Sequence, residues 1–243
     1  RQRQETEHMF YRLMVLAFSP LLLLQGLYVR KVTPRLPEAE GVRSGETGAG
    51  PPLRLLILGD SAAAGVGAET QQQALAGQLA QRLAGSFRLS WQLWATNGRT
   101  SGQCLSLLEQ QAAEAFDSVL ISLGVNDVTG GVALKKWLRQ QSRLTELLHG
   151  KFRAQRIIFT ALPPMHHFPA LPQPLRWVLG ARAKQFNRAL QEFVATRPHC
   201  SLLAFELPMQ PEFIASDGFH PSATTYGLWA EQAATAIKRQ QPV

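Results

Sequence analysis

Short apolar runs alternate with amphipathic stretches from Leu53 to the end of the chain. The runs of strand length are residues 53–59, 87–95, 118–124, 155–162 and 200–206. The stretches with helical spacing of apolar residues are 72–84, 102–114, 132–149, 176–196 and 222–239. Parallel strands need a crossover helix to return the chain, so this rhythm predicts an α/β fold, a five-stranded parallel sheet with helices on both faces.

The boundaries of the helices have local signals in two places. Thr70 and Gln73 have the spacing of a capping box, which predicts the start of the first helix. In the third helix, Leu134, Trp137 and Leu144 fall on one face, as expected for a helix that covers a sheet.

The N-terminal segment has a different pattern. Residues 13–29 are mostly apolar and reach the lower limit of length for a membrane-crossing helix. Arg30, Lys31 and Arg35 follow, and by the positive-inside rule they would keep the next domain cytoplasmic. We predict that residues 1–32 form an apolar anchor or interfacial helix that contacts a membrane surface. An export signal, with the domain exported or periplasmic, and a soluble packed helix stay open.

Composition separates a linker from a folded domain in the rest of the chain, and the net charge indicates which partners the protein could bind. Residues 33–52 are rich in Pro and Gly, which predicts a linker, and residues 53–243 form the predicted domain. The formal charge of +8 favours anionic surfaces, but no nucleic-acid module accompanies it, so we expect no nucleic-acid partner. Cys104 and Cys200 lack metal-site spacing and are expected to be buried thiols, with a disulfide possible in an exported chain. The oligomeric state is left open.

Polar residues follow the predicted strands at four points. Ser61 lies in "GDS", Gly98 in "NGRTSG" and Asn126 in "GVND", while Asp217 and His220 lie in "DGFH" before the last helix. Ligand sites in parallel sheets lie at the carboxyl ends of the strands. We therefore expect all four blocks to meet at one edge of the sheet.

Together these residues suffice for acyl transfer. A serine hydroxyl such as Ser61 needs an imidazole to take its proton, and Asp217 could hold His220 in the required tautomer. The amides of Ser61 and Gly98 and the side chain of Asn126 could stabilise an oxyanion. This chemistry requires no metal and no cofactor, and we expect none.

The four blocks resemble those of the SGNH hydrolases, the GDSL esterases and lipases, over roughly residues 53–240. The family's usual Leu after the serine is Ala62 here. The resemblance implies a three-layer α/β/α flavodoxin-like fold with strand order 2-1-3-4-5. It also implies a nucleophile at Ser61, an Asp217–His220 pair and an oxyanion hole formed by Ser61, Gly98 and Asn126.

The expected function is cleavage of carboxylic esters or thioesters, in small molecules or lipids, through an acyl-enzyme on Ser61. An acyltransferase or deacetylase on the same triad, and a membrane-tethered binding module with an inactive site, are the alternatives. The Pro-rich segment 161–175 follows the fourth strand and should overhang the same edge. Its residues Met165, His166 and Phe168 are the candidates for the substrate pocket.

Overall fold

The computed structural model describes residues 13–204 and 210–239. The first twelve residues of the predicted N-terminal segment and the last two of the predicted strand 200–206 lie outside this range. The strands are β1 Ser44–Thr47, β2 Pro52–Gly59, β3 Arg88–Ala95, β4 Ser118–Ser122, β5 Arg156–Thr160 and β6 Cys200–Leu203. The helices are α1 Ser19–Val32, α2 Leu75–Ala84, α3 Ser101–Gln110, α4 Val125–Thr129, α5 Leu134–Gly150, α6 Leu175–Ala195 and α7 Ala223–Arg239.

The described strands form one sheet in the order β1-β3-β2-β4-β5-β6. Strands β2 to β6 are parallel, and β3-β2-β4-β5-β6 is the expected order 2-1-3-4-5. Leu55 to Leu58 of β2 are buried without interruption, as in a strand that helices cover on both faces. The predicted α/β fold is confirmed.

Helices cover both faces of this sheet. On one face α2 packs against α7, and their apolar residues share a core with Leu55, Ile57 and Leu89 of the sheet. On the other face α3 packs against α5, and α5 packs against α6, over Leu56 and Leu58. Alternate residues of β2 therefore enter opposite cores, because successive side chains of a strand point to opposite faces.

The edge strand β1 was not expected. The prediction of a linker over residues 33–52 is wrong at Ser44–Thr47, which pair antiparallel with β3 from Ser44↔Gln92 to Thr47↔Leu89. This pairing satisfies backbone groups that β3 would otherwise leave open at the edge of the sheet. Its residues are small or polar, so no apolar pattern marks the strand in the sequence.

The predicted capping box at Thr70 is also wrong. Helix α2 begins at Leu75 after Ala74, which makes no side-chain cap. Thr70 instead bridges to Glu40, and the Gln71 amide donates to Glu40 O at 2.7 Å. These contacts with a distant segment hold residues 70–71 outside the helix. A capping box is present at the start of α3, between Thr100 and Gln103.

Helix α1 lies on the surface of the domain and has no buried residue. Within residues 13–204 and 210–239, none of the helices has both the length and the apolarity needed to span a bilayer. Membrane contact through residues 13–29 and the cytoplasmic position of the domain stay predictions. Both cysteines are free; Cys104 is buried as expected, whereas Cys200 is only half-buried.

Candidate active site

A tight turn after β2 carries Ser61. The strand ends at Gly59, and the chain turns back so that the amides of Ala64 and Val66 donate to Asp60 O and Ser61 O at 2.9 and 3.0 Å. A Cβ on Gly59 would lie 2.3 Å from the Cβ of Ala63, so the turn requires glycine at that point. The small residues of this segment therefore serve the turn that presents the serine hydroxyl at the carboxyl edge of the sheet.

Ser61, His220 and Asp217 form a continuous hydrogen-bonded chain. Ser61 Oγ lies 2.9 Å from His220 Nε2, and His220 Nδ1 lies 2.5 Å from Asp217 Oδ2. The second oxygen of Asp217 accepts hydrogen bonds from the amides of Phe219 and His220 at 2.9 and 3.0 Å. The aspartate side chain is 1% exposed, and that of the histidine is 16% exposed. The imidazole is thus oriented from one side and faces the hydroxyl with the other.

The electrostatics of Asp217 favour its charged form. Burial pushes the pKa of Asp217 upward, but the hydrogen bonds from His220 and from the Phe219 amide outweigh it and hold that pKa below its ordinary value. The ionised carboxylate can therefore stabilise positive charge on His220.

Asn126 connects two of the polar blocks. Its side-chain nitrogen Nδ2 donates to Arg99 O at 3.1 Å and to Asp60 Oδ2 at 3.3 Å. Arg99 follows Gly98, and Asp60 precedes Ser61, so the predicted oxyanion residues converge at one place. Gly98 has φ +78°, and no atom would lie within 4 Å of an added Cβ. The backbone conformation, and not lack of space, favours glycine there.

Two buried aspartates were not assigned from the sequence. Asp127 accepts from the amide and hydroxyl of Ser101 at 3.0 and 2.8 Å, which joins α4 to the start of α3. The Ser101 hydroxyl also accepts from Trp137 Nε1 at 3.1 Å and from Gln141 Nε2 at 2.9 Å. This network fixes the short helix that bears Asn126. In the sequence, the signal for a role of Asp127 was its position directly after Asn126 in "GVND".

The second buried aspartate is Asp60, which directly precedes Ser61. Burial raises the pKa of Asp60 to about 7, although the Ala62 amide and the nearby His220 oppose the shift. Its Oδ1 accepts from the Ala62 amide at 3.2 Å. Asp60 thus links the serine turn to Asn126 through its two oxygens.

A small apolar pocket opens at Ser61, and we call it the serine pocket. Its volume is about 70 Å³, and its walls include Ser122, Leu123, Leu162, Phe168 and Trp229. Phe168 is thus among the walls of this pocket, and its contact with substrate stays a prediction. Segment 161–175 reaches this edge of the sheet through Leu162 and Phe168.

The other two pocket predictions are wrong. Met165 is fully buried in the core beneath α6, because the segment forms a 3-10 turn at Met165–His167 that points it inward. His166 packs against α6 so closely that a Cβ added to Gly180 would lie 2.4 Å from the Cβ of His166. Neither residue is among the walls of the serine pocket.

In residues 13–204 and 210–239, no group of three or more His, Cys, Asp or Glu side chains could hold a metal ion.

Several known proteins are similar to this chain in sequence or in fold. The chain is 29% identical over 245 residues to the GDSL-like esterase Rv1075c of Mycobacterium tuberculosis, covering 90% of this chain and 76% of the relative. The crystal structure of the esterase EstA from Pseudoalteromonas sp. aligns with a TM-score of 0.55 at 21% identity, over 76% of this chain and 97% of that one. The lipase Lip_vut3 from a goat rumen metagenome aligns with a TM-score of 0.59 at 18% identity, with the same coverage. These two structures are similar in fold.

The family match spans all five predicted catalytic and oxyanion residues. Residues 57–228 match the GDSL-like Lipase/Acylhydrolase family, a range that contains Ser61, Gly98, Asn126, Asp217 and His220. Helix α1 and strand β1 lie outside the match. The chain therefore belongs to the GDSL-like lipase/acylhydrolase family and is an ester-hydrolysing enzyme.

Proposed function

We propose that this enzyme hydrolyses carboxylic esters or thioesters through an acyl-enzyme on Ser61. The observation that carries the proposal is the chain of contacts from Asp217 to His220 at 2.5 Å and from His220 to Ser61 at 2.9 Å. The Ser61–His220 distance is that of an ordinary hydrogen bond, and the His220–Asp217 distance is that of a short one. The order of the three groups is that of nucleophile, base and orienting acid.

In the acylation step, Ser61 Oγ attacks the carbonyl carbon while its proton passes to His220 Nε2. Asp217 holds the Nδ1–H of the imidazole and stabilises the positive charge that forms. The tetrahedral intermediate then collapses: the carbonyl double bond forms again, the bond between the acyl carbon and the leaving oxygen or sulfur breaks, and the leaving alcohol or thiol takes the proton from His220. A water molecule repeats the sequence in the second half-reaction and releases the acid.

The negative charge of the intermediate needs donors that are already in position. The amides of Ser61 and Gly98 and the side chain of Asn126 are our assignment. In the free enzyme Asn126 Nδ2 donates to Arg99 O and, at the longer distance of 3.3 Å, to Asp60. We expect the oxyanion to replace the longer contact, since catalytic hydrogen bonds often tighten only when substrate is bound.

Substitution of the nucleophile tests the proposal. Ser61→Ala should abolish hydrolysis of p-nitrophenyl acetate, whereas Ser86→Ala, a change at an exposed serine, should leave the rate unchanged. An alkylphosphonate probe should add its mass to the wild type and to the Ser86 variant but not to the Ser61 variant. The EstA structure was determined with monoethylphosphonate as inhibitor, which supports the choice of this reagent. Equal hydrolysis by Ser61→Ala would overturn the assignment.

An acceptor alcohol could replace water in the second half-reaction, as an acyltransferase requires. Product analysis with and without added glycerol distinguishes the two outcomes. Free acid as the main product in both conditions supports the assignment as a hydrolase. Acylated glycerol as the main product would instead assign the protein as an acyltransferase.

A further inference from the structure

A second space, which we call the α1 groove, opens between helix α1 and the hydrolase domain. Its volume is about 780 Å³, more than ten times that of the serine pocket. One wall is α1, and the other includes Leu171, which precedes α6, and Leu175 and Leu179 in the first two turns of α6. The wall on α1 is formed by Leu22, Leu23, Gly26, Leu27, Val29 and Arg30. The groove is thus mostly apolar, and more than half of its lining residues lie outside the family match.

Specific contacts hold α1 over this groove. Gln25 Nε2 donates to Gln173 O at 2.7 Å, and Gln25 Oε1 accepts from the Leu175 amide at 3.1 Å. Leu22 and Val29 pack against the core on the α6 side of the sheet. A side chain that satisfies two backbone groups at the start of α6 fixes the position of the helix relative to the active site.

The groove is continuous with the reacting groups, but on one side only. Asp217, Phe219 and His220 contribute to its walls, whereas Ser61 does not appear among the described residues that line it. Ser61 and His220 both line the serine pocket. In the mechanism above, the acyl carbon stays bonded to Ser61, and the leaving oxygen takes its proton from His220.

From this division we infer that the substrates combine a short acyl group with a long apolar alcohol, which lies in the α1 groove. The inference rests on the proposed function and adds the substrate class. One water needs roughly 10–15 Å³ of such space, so the serine pocket holds about five to seven water-sized groups. That suits an acyl group of a few carbons. The long chain has room in the groove, beside the histidine that protonates its oxygen.

Gly26 gives this inference a sharp test. It lies at the centre of the α1 wall, with Leu22 four residues before it and Arg30 four residues after it on the same face. An added Cβ would meet nothing within 4 Å, so a larger side chain can enter the groove. Replacing glycine within a helix also favours helix formation.

Two isomeric esters separate the two halves of the substrate: octyl acetate carries its long chain on the alcohol, and ethyl octanoate carries it on the acid. With the full chain and acid release as the readout, we expect kcat/KM for octyl acetate to exceed that for ethyl octanoate by about tenfold. Gly26→Trp should lower kcat/KM for octyl acetate by about tenfold and change that for ethyl acetate by less than about twofold, since it displaces roughly two methylenes from apolar contact.

Leu24→Trp is the matched control, because Leu24 is on the same helix, is 64% exposed and is not part of the groove wall. Leu24→Trp should leave kcat/KM unchanged for octyl acetate, ethyl octanoate and ethyl acetate. Gly26→Leu provides a smaller substitution if the tryptophan variant does not fold. A preference for ethyl octanoate, or equal loss of ethyl acetate and octyl acetate hydrolysis in a folded Gly26 variant, would overturn the inference.

A binding measurement separates this inference from the proposed function. Calorimetry with octanol should show weaker binding to Gly26→Trp than to the wild type and to Leu24→Trp, whether or not the protein turns over an ester. Equal binding to the three proteins would overturn the groove assignment and leave the triad untouched. Hydrolysis that persists in Ser61→Ala would overturn the triad, and the calorimetry would still decide the groove.

Discussion

Substituting Asp217 with asparagine isolates its electrostatic role, because the structure determines how the new side chain must orient. Asp217 Oδ1 accepts from two backbone amides, those of Phe219 and His220, at 2.9 and 3.0 Å. The amide oxygen of asparagine must take this position, since its NH₂ group cannot accept them. The NH₂ group then faces His220 Nδ1, which becomes an acceptor. The proton of the neutral imidazole moves to Nε2, where it faces Ser61.

In this tautomer His220 cannot accept the serine proton. The equivalent change in a serine protease lowers kcat by about 10⁴ for the same reason. We expect a loss of about the same size for Asp217→Asn, which corresponds to roughly 5 kcal/mol of activation free energy. The packing of the loop should persist, because the replacement has nearly the same shape and keeps both backbone hydrogen bonds.

The assay is steady-state hydrolysis of p-nitrophenyl acetate, with circular dichroism as the test of folding. Asp117→Asn is the matched control: that carboxylate pairs with Arg54 at 2.7 Å at the start of the sheet, opposite the active-site edge, and its loss should not change kcat. A folded Asp217→Asn enzyme with kcat within about tenfold of the wild type would refute the tautomer argument.

Three further outcomes are expected. Asn126→Ala should lower kcat by about 10²–10³, the usual effect of losing one oxyanion donor, with little change in melting temperature. Gly67→Ala should cost about 2–5 kcal/mol in unfolding free energy, because φ is +99° and the new Cβ would lie 2.2 Å from Pro221 O; Gly85→Ala, with open space around it, should be nearly neutral in the same urea titration. Burial raises the pKa of Asp60 to about 7, so its contribution to wild-type stability falls as pH rises from its ordinary pKa toward 7. The unfolding free energy of Asp60→Asn minus that of the wild type should therefore increase from about pH 5 to about pH 8, and a constant difference would contradict the shift.

Local hydrophobic periodicity was sufficient to predict the parallel strands of the sheet. It gave wrong predictions where contacts between distant segments determine the local structure. The parallel strands were identified because apolar residues recur along them, in buried runs in β2, β4 and β5 and at alternate positions in β3. Strand β1 has no such run, and it forms because β3 offers an open edge. The start of α2 was misplaced because Thr70 and Gln71 bind the chain near Glu40, a contact that no local pattern reveals.

The residue pattern alone was enough to predict the α/β fold and the polar blocks that meet, since residues that follow parallel strands lie at the same edge of the sheet. Ser61 and His220 are 159 positions apart and lie within hydrogen-bonding distance for that reason. The pattern along the chain did not distinguish Phe168, which lines the serine pocket, from Met165, which packs in the core. The burial of Asp60 and the groove that Gln25 helps to form beneath α1 are evident only in the tertiary structure. These features depend on how side chains from distant segments pack, and the order of residues along the chain does not specify that packing locally.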